Sequence, residues 1–288
     1  VLIFFAKINL EEDRMPDKSQ LPYLVELLDD DSDEVRDEIL KSLSNYGNHL
    51  EKDLFSFTQL FNSEKLSIVK PILDDNRRKW LYENWKNWQS LPTEYSQLEE
   101  AMDMICKFQY GFNYPEKITV LLDNLAEEFA NHNKKGNEID LADFLFKHKK
   151  LFGERDDYYN PLNSNLIYVL KKQRGLPISL TIIYILVAQR LGLNVEGCNF
   201  PGHFLAKVKV KRDIVLIDAY NNGRIINEDE LKELSQDSVE AIMKIINLKT
   251  NSKIVVRRVL NNLINAYGQI NDEKNKSFFI RLLNITPW

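Results

Sequence analysis

From Leu21 the chain reads LPYLVELLDDDSDEVRDEILKSLSNYG, which puts Leu24, Leu27 and Leu28 on one helical stripe and Val35, Ile39 and Leu43 on a second. Two short helices therefore meet at an acidic turn, with Ser32 as the cap of the second and Gly47 as its stop. Further helices are expected through Asp53 to Phe61 and Lys65 to Leu73. Trp80, Trp85 and Trp88 follow as an aromatic stripe read as core packing that anchors the helical region onto what comes next. Helical periodicity resumes from Leu98 through Phe108 and from Ile118 through Phe129, and a polar loop covers Asn131 to Glu138. Past a loop holding Asn160 and Pro161, a helix is predicted over about Ser164 to Lys172, stopped at Gly175, with Asn163 and Ser164 as natural caps.

The pattern then changes. Pro177 opens a helix in which Leu180, Ile183, Val187 and Leu191 recur at helical spacing up to Gly192, and it is apolar enough to be buried. Val195 to Phe200, His203 to Val210 and Ile214 to Asp218 read as three strands, broken by a sharp turn at Pro201 and Gly202. Asn227 with Glu230 makes a capping box, and the remainder turns helical. Lys253, Arg257 and Arg258 alternate with Val255, Val256 and Val259, as on a strand or helix edge with a solvated face.

Composition narrows the classes. The 288 residues, 44% of them hydrophobic, suffice for one large domain or two smaller ones. A formal net charge of -5 and a pI near 5.6 exclude a general phosphate-binding surface, so nucleic acid is not an expected partner. Cys106 and Cys198 lie far apart without metal-type spacing, and His132 and His148 have no ligand partner at a metal-binding interval; no metal and no cofactor are expected. The apolar opening VLIFFAKINL is short and runs into Glu11, Glu12 and Asp13, which suits neither a leader nor a membrane span. A cytoplasmic protein is the expectation. The chain begins at Val1 rather than Met, so upstream residues are expected to be missing and an exported form stays open.

Three residues at element ends carry the candidate chemistry: Ser179 in the first turn of the buried helix, His203 at the head of a strand and Asp218 at the end of the next. Unpaired N–H groups and the dipole at a helix N-terminus favour a developing anion. If Lys211 and Arg212 alone form the hairpin loop, Val210 pairs with Asp213 and Leu205 with Asp218. His203 and Asp218 then become diagonal neighbours about 7 Å apart on one face. A three-residue loop would turn the aspartate to the other face. An imidazole oriented by the aspartate could take a proton from Ser179, whose hydroxyl needs such a base. The bland readings are equally definite: Ser179 as a cap, Cys198 as a small buried residue in a strand rather than a nucleophile.

Two resemblances attach to these residues. Pro22, the turn aspartates and the Val35-Arg36 pair resemble one HEAT repeat. G-x-P-I-S-L, R-L-G-L, P-G-H-F-L and D-x-x-N-x-G, in that order over roughly Phe152 to Glu230 and preceded by Asn163 and Ser164, resemble the SirB-type bacterial branch of the transglutaminase-like superfamily, related to the papain-like fold. That resemblance implies a catalytic cysteine, histidine and aspartate at the positions of Ser179, His203 and Asp218; the thiol is absent, and Ala219-Tyr220 replaces the usual Pro-Phe. It also implies that the C-terminal segment is a helical hairpin approaching a tetratricopeptide-like unit.

The expected fold is α+β: a helical HEAT-like region over 1–92, a transglutaminase-like core of helix on small antiparallel sheet over 93–235, and a largely helical segment over 236–288. Two functions compete, with the residue at 179 as the discriminator. One is a noncatalytic or specialised protein-interaction module with a protein or peptide partner; the other is a Ser-His-Asp hydrolase or acyltransferase acting on a peptide or amide. The weak binding candidates are Asn163 and Ser164.

Overall fold

The computed structural model describes residues 17–57, 62–200, 202–211, 213–226 and 239–288. The opening VLIFFAKINL, Pro201 and the Asn227–Glu230 capping box lie outside the described residues. The chain divides into two compact units, one comprising 1–80 with 111–113, the other 81–110 with 114–288.

The first unit follows the two-stripe pattern. Helix α1 (Leu21–Glu26) runs into a tight turn over Leu27–Asp29, and α2 (Asp33–Ser44) begins where the Ser32 hydroxyl accepts the Val35 N–H. Helix α3 (His49–Phe55) follows, and α4 (Ser63–Asn84) is longer than its apolar spacing announced, carrying Pro71 inside it. Leu21, Val25, Leu28, Ile39, Leu43, Leu50 and Val69 close one apolar core. Arg77 grips both oxygens of Glu51, at 2.9 and 2.7 Å, and Trp80 packs edge-on against Phe112.

The second unit is α+β. Helices α5 (Glu94–Tyr110), α6 (Ile118–His132) and α7 (Glu138–Asp143) lead in, the last started by an Asn137–Asp140 capping box. Strand β1 (Phe152–Gly153) pairs in parallel with β2 (Arg174–Gly175), which follows α8 (Leu166–Lys172). Helix α9 (Pro177–Arg190) is the centre of the unit: every residue from Ile178 to Ala188 is buried. A helix apolar on all sides must be wrapped on all sides, and α9 touches α5, α6, α7, α8 and the sheet strands β3 (Val195–Cys198) and β4 (Leu205–Val210). The antiparallel sheet continues through β5 (Asp213–Asp218) and β6 (Arg224–Ile226). Helix α10 (Val239–Asn247) supplies Ile242 and Ile246 to the cluster around Cys198, Phe200, Leu205 and Leu216. A hairpin of α11 (Ser252–Gln269) and α12 (Glu273–Ile285) completes the unit, with α11 also packed on α5, α9 and the turn Pro161–Ser164. Trp85 and Trp88 are fully buried here, and the Trp85 indole donates to the Thr286 hydroxyl at 2.9 Å.

Two local expectations shift. His203 precedes the ladder rather than opening it. Phe200 N–H turns back to the Cys198 carbonyl, and Gly202 at φ +73° delays the extended run until after the histidine. The segment after α6 is not all loop, since its asparagine and aspartate start α7. Among the described residues no helix is long and apolar enough to cross a membrane.

Candidate functional site

Ser179 is the third residue of α9, behind Pro177, with Leu176 as the cap position and no side-chain cap. The serine therefore does not cap. Its hydroxyl, fully buried, donates to the Asn163 carbonyl at 2.7 Å and so ties the start of α9 to the turn Pro161–Ser164. Asn163 in turn donates its amide to the carbonyls of Asp157 at 2.6 Å and Tyr158 at 3.2 Å. Neither Asn163 nor Ser164 caps α8. That role falls to Asn165, whose Oδ1 accepts the N–H groups of Ile167 and Tyr168. The NSN run offers three capping side chains, and the tie from the Asn163 carbonyl to Ser179 fixes the turn so that the third one meets the helix.

Asp218 ends β5, nearly fully buried. Its Oδ1 accepts the N–H groups of Tyr220 and Asn221, both at 3.1 Å, and its Oδ2 accepts the Asn221 amide at 2.7 Å, with Arg224 Nε 3.8 Å away. Three of roughly four acceptor positions on the carboxylate are thus spent on the turn that follows it. Two residues separate β4 from β5, and Val210 faces Asp213 while Ala206 faces Ile217. Continued by one residue, that register sets Asp218 opposite Leu205, two residues beyond His203. His203 is half-buried; its N–H donates to the Phe200 carbonyl at 3.1 Å, and its ring has no hydrogen-bond partner among the described residues.

Helix α9 packs on β3 and β4, so the serine's helix and the sheet that carries the other two share one core. No hydrogen bond described for Ser179, His203 or Asp218 links any two of them. As placed, the serine proton goes to an amide carbonyl, which cannot act as a base, and the carboxylate serves a turn. Around Ser179 the polar groups are incompletely matched: Asn163 Oδ1, Asn165 Nδ2 and Thr181 Oγ1 are buried without partners among the described residues.

Cys198 lies in β3 with almost no exposure, and burial pushes its thiol up to about 11, with Lys207 opposing. Cys106 is pushed up to about 12, again by burial. Neither has the electropositive, open setting of a reactive cysteine. His132 donates from Nδ1 to the Glu128 carbonyl at 2.8 Å, and no group of metal-ligating side chains occurs among the described residues. The alternation of Lys253, Arg257 and Arg258 with valines puts Arg258 on a solvated face, and the structure differs. Arg258 lies half-buried against the loop Asn199–Phe204, donating to Asn199 Oδ1 at 2.6 Å and to the Phe200 carbonyl at 3.4 Å.

Comparison with known proteins agrees with this architecture. A UPF0162 protein of Xylella fastidiosa (strain Temecula1) is 31% identical over 200 residues, which are 64% of this chain and 69% of that protein. A second, from strain 9a5c, is 33% identical over 174 residues, 55% of this chain and 62% of the relative. F-box only protein 21 of Homo sapiens is 27% identical over 186 residues, 61% of this chain but 29% of its own length. No solved structure matches. The family model described as transglutaminase-like superfamily matches residues 114–261, the stretch that holds Ser179, His203, Asp218 and Arg258, and on these matches the chain belongs to that superfamily as a member of the UPF0162 family.

Proposed function

We propose that this protein is a peptide- or protein-binding module built on a transglutaminase-like core, and that Ser179 is not a nucleophile. The observation that carries the reading is the destination of the serine proton: a fully buried hydroxyl donating to the Asn163 carbonyl. A serine is hardly ionised near neutral pH and needs a base within hydrogen-bond reach of its own proton. On this reading the core over 93–235 is of the SirB type, with Asn163 and Ser164 lining it from beneath. The region over 1–92 is a HEAT-like scaffold, and the segment over 236–288 closes the core from the C-terminal side. The partner is a protein or peptide, met in the cytoplasm, where two buried thiols need no oxidising partner.

One observation favours the enzyme reading, a Ser-His-Asp hydrolase or acyltransferase on a peptide or amide. The unpartnered Asn165 Nδ2 is a buried donor two residues from the carbonyl that holds Ser179. Such a donor suits an oxyanion. The two readings separate on the full chain treated with a fluorophosphonate and mapped by mass spectrometry. The module leaves Ser179 unmodified. Stoichiometric phosphonylation of Ser179, abolished by His203→Ala, would overturn it.

A further inference from the structure

Arginines that are partly withdrawn from water in this chain generally sit on a carboxylate: Arg77 on Glu51, Arg78 on Asp75, Arg190 on Glu99 and Asp123. Arg258 does not. Its hydrogen bonds run through Nη1 alone, to the Asn199 side chain and the Phe200 carbonyl. Its guanidinium also stands 5.6 Å from the centre of the Phe204 ring. A guanidinium carries five N–H groups in a fixed fork, so Nε–H and both N–H groups of Nη2 have no protein acceptor among the described residues. Burial pulls its pKa below the ordinary guanidinium value, with the Tyr158 phenol as the opposing electrostatic neighbour. It remains a cation all the same.

The placement matters as much as the vacancy of those donors. The Phe200 carbonyl that accepts from Arg258 also accepts the N–H of His203, and the Tyr158 carbonyl accepts from Asn163, whose own carbonyl holds Ser179. Arg258, reaching from α11, is therefore bonded to the segment that carries His203, and Tyr158 belongs to the segment that braces Ser179. Tyr158 and Tyr159 stand exposed beside them, edge to face at 5.3 Å. Exposed tyrosines give broad, low-entropy contact with a peptide, and the side-on edge of a guanidinium, Nε with Nη2, matches the two oxygens of a carboxylate.

We infer that Arg258, oriented by Asn199 and Phe204 and flanked by Tyr158, is the carboxylate-reading residue of a peptide-binding site next to His203. The ligand class is a peptide that presents a carboxylate, either an acidic side chain or the chain terminus. The inference rests on the reading that this core binds a peptide, as partner or as substrate, and not on the fate of Ser179. An enzyme with the same side chains at this place would use Arg258 to hold its substrate.

The test is a titration of the 15N-labelled full chain, followed at the Nε–H resonance of Arg258 assigned through its backbone. The probes are N-acetylglycine for a terminal carboxylate, N-acetylglutamic acid α-amide for an acidic side chain, and N-acetylglycinamide as the uncharged control. A saturating shift with at least one carboxylate and none with the control is expected, with affinity, read for the variant at the backbone amides of Asn199 and His203, falling about tenfold or more in Arg258→Lys, which keeps the charge but loses the fork. Arg257, exposed on the same helix beside Trp288, is the internal reference and should shift only weakly and without saturation. Which carboxylate saturates first distinguishes terminus from side chain. No saturation below about 50 mM, an equal response to the control, or an identical response at Arg257 would overturn the inference. A carboxylate response together with a phosphonylated Ser179 would instead refute the module and keep the site; no response with Ser179 unmodified would do the reverse.

Discussion

Ser179→Ala is the perturbation on which the structural and catalytic readings differ in sign. The hydroxyl is fully buried and gives a 2.7 Å hydrogen bond to the carbonyl of a residue that is itself 1% exposed. Removing it deletes the bond and leaves a buried carbonyl short of a donor, a loss of about 1–3 kcal/mol. Alanine returns up to about half a kcal/mol through its higher helix propensity. The net expectation is a destabilisation of about 0.5–3 kcal/mol, or roughly 2–4 °C in Tm per kcal/mol for a unit of this size. A catalytic nucleophile behaves otherwise, because active-site polar groups are held at a cost to stability and their truncation is commonly neutral or stabilising. Urea unfolding followed by the fluorescence of Trp85 and Trp88, both fully buried in the same unit, reads the difference. Ser179→Cys should fall between wild type and alanine, since a thiol is a weaker donor. If Ser179→Ala proved as stable as wild type or more so, the hydroxyl would not be the tie described here and the structural account of Ser179 would fail.

Two further expectations concern the buried thiols. With thiols held at about 11 and about 12, the folded chain at pH 8 should react with iodoacetamide far more slowly than the urea-unfolded chain at both Cys198 and Cys106; rapid labelling of folded Cys198 that is blocked by His203→Ala would return it to candidacy as a nucleophile. The same values set an alkaline limit. Both pKa values are raised above the ordinary 9.0, so their contribution to stability is complete below pH 9 and is lost as pH rises towards 11 for Cys198 and 12 for Cys106. The loss is about 1.4 kcal/mol per pH unit per thiol within those windows. Cys198→Ala should flatten the fall between pH 9 and 11 in urea titrations, and an unchanged slope would contradict the burial of that thiol.

Much of the second unit was legible because its signals are local. Pro177 followed by a mostly apolar stretch at helical spacing reads as a buried helix, and of the two hairpin loops the sequence left open the two-residue one forms, so that Val210 faces Asp213 and the register sets Asp218 opposite Leu205. Ser32 with Val35 capped as its spacing announced, and Cys198 packed as a small apolar residue. What escaped depended on groups distant in sequence. Asn163, Ser164 and Asn165 are equal as caps until Ser179, sixteen residues on, claims the Asn163 carbonyl. Arg258 looks solvated on its helix, and its burial is decided by a loop that begins 59 residues earlier. The turn that keeps His203 out of the ladder rests on backbone hydrogen bonds around Phe200, which no side-chain alternation records.

The three residues that a transglutaminase-like enzyme would align are unequal in what packing explains. Ser179 joins α9 to the turn beneath it, and Asp218 organises the chain between β5 and β6 through three hydrogen bonds. Both identities follow from structure alone, since alanine at either place would strand buried polar groups. His203 is different. Its backbone shares the Phe200 carbonyl with Arg258, while its ring, half-buried, engages no described group. Among the described residues, unmatched polar groups lie in two places: at the helix N-terminus, where Asn163 Oδ1, Asn165 Nδ2 and Thr181 Oγ1 are fully buried, and at the half-buried edge where the His203 ring and three N–H groups of Arg258 meet no protein acceptor. On the proposed reading, the edge of the core that holds Arg258 and His203 is the one that meets a partner, and the serine behind it is part of the wall.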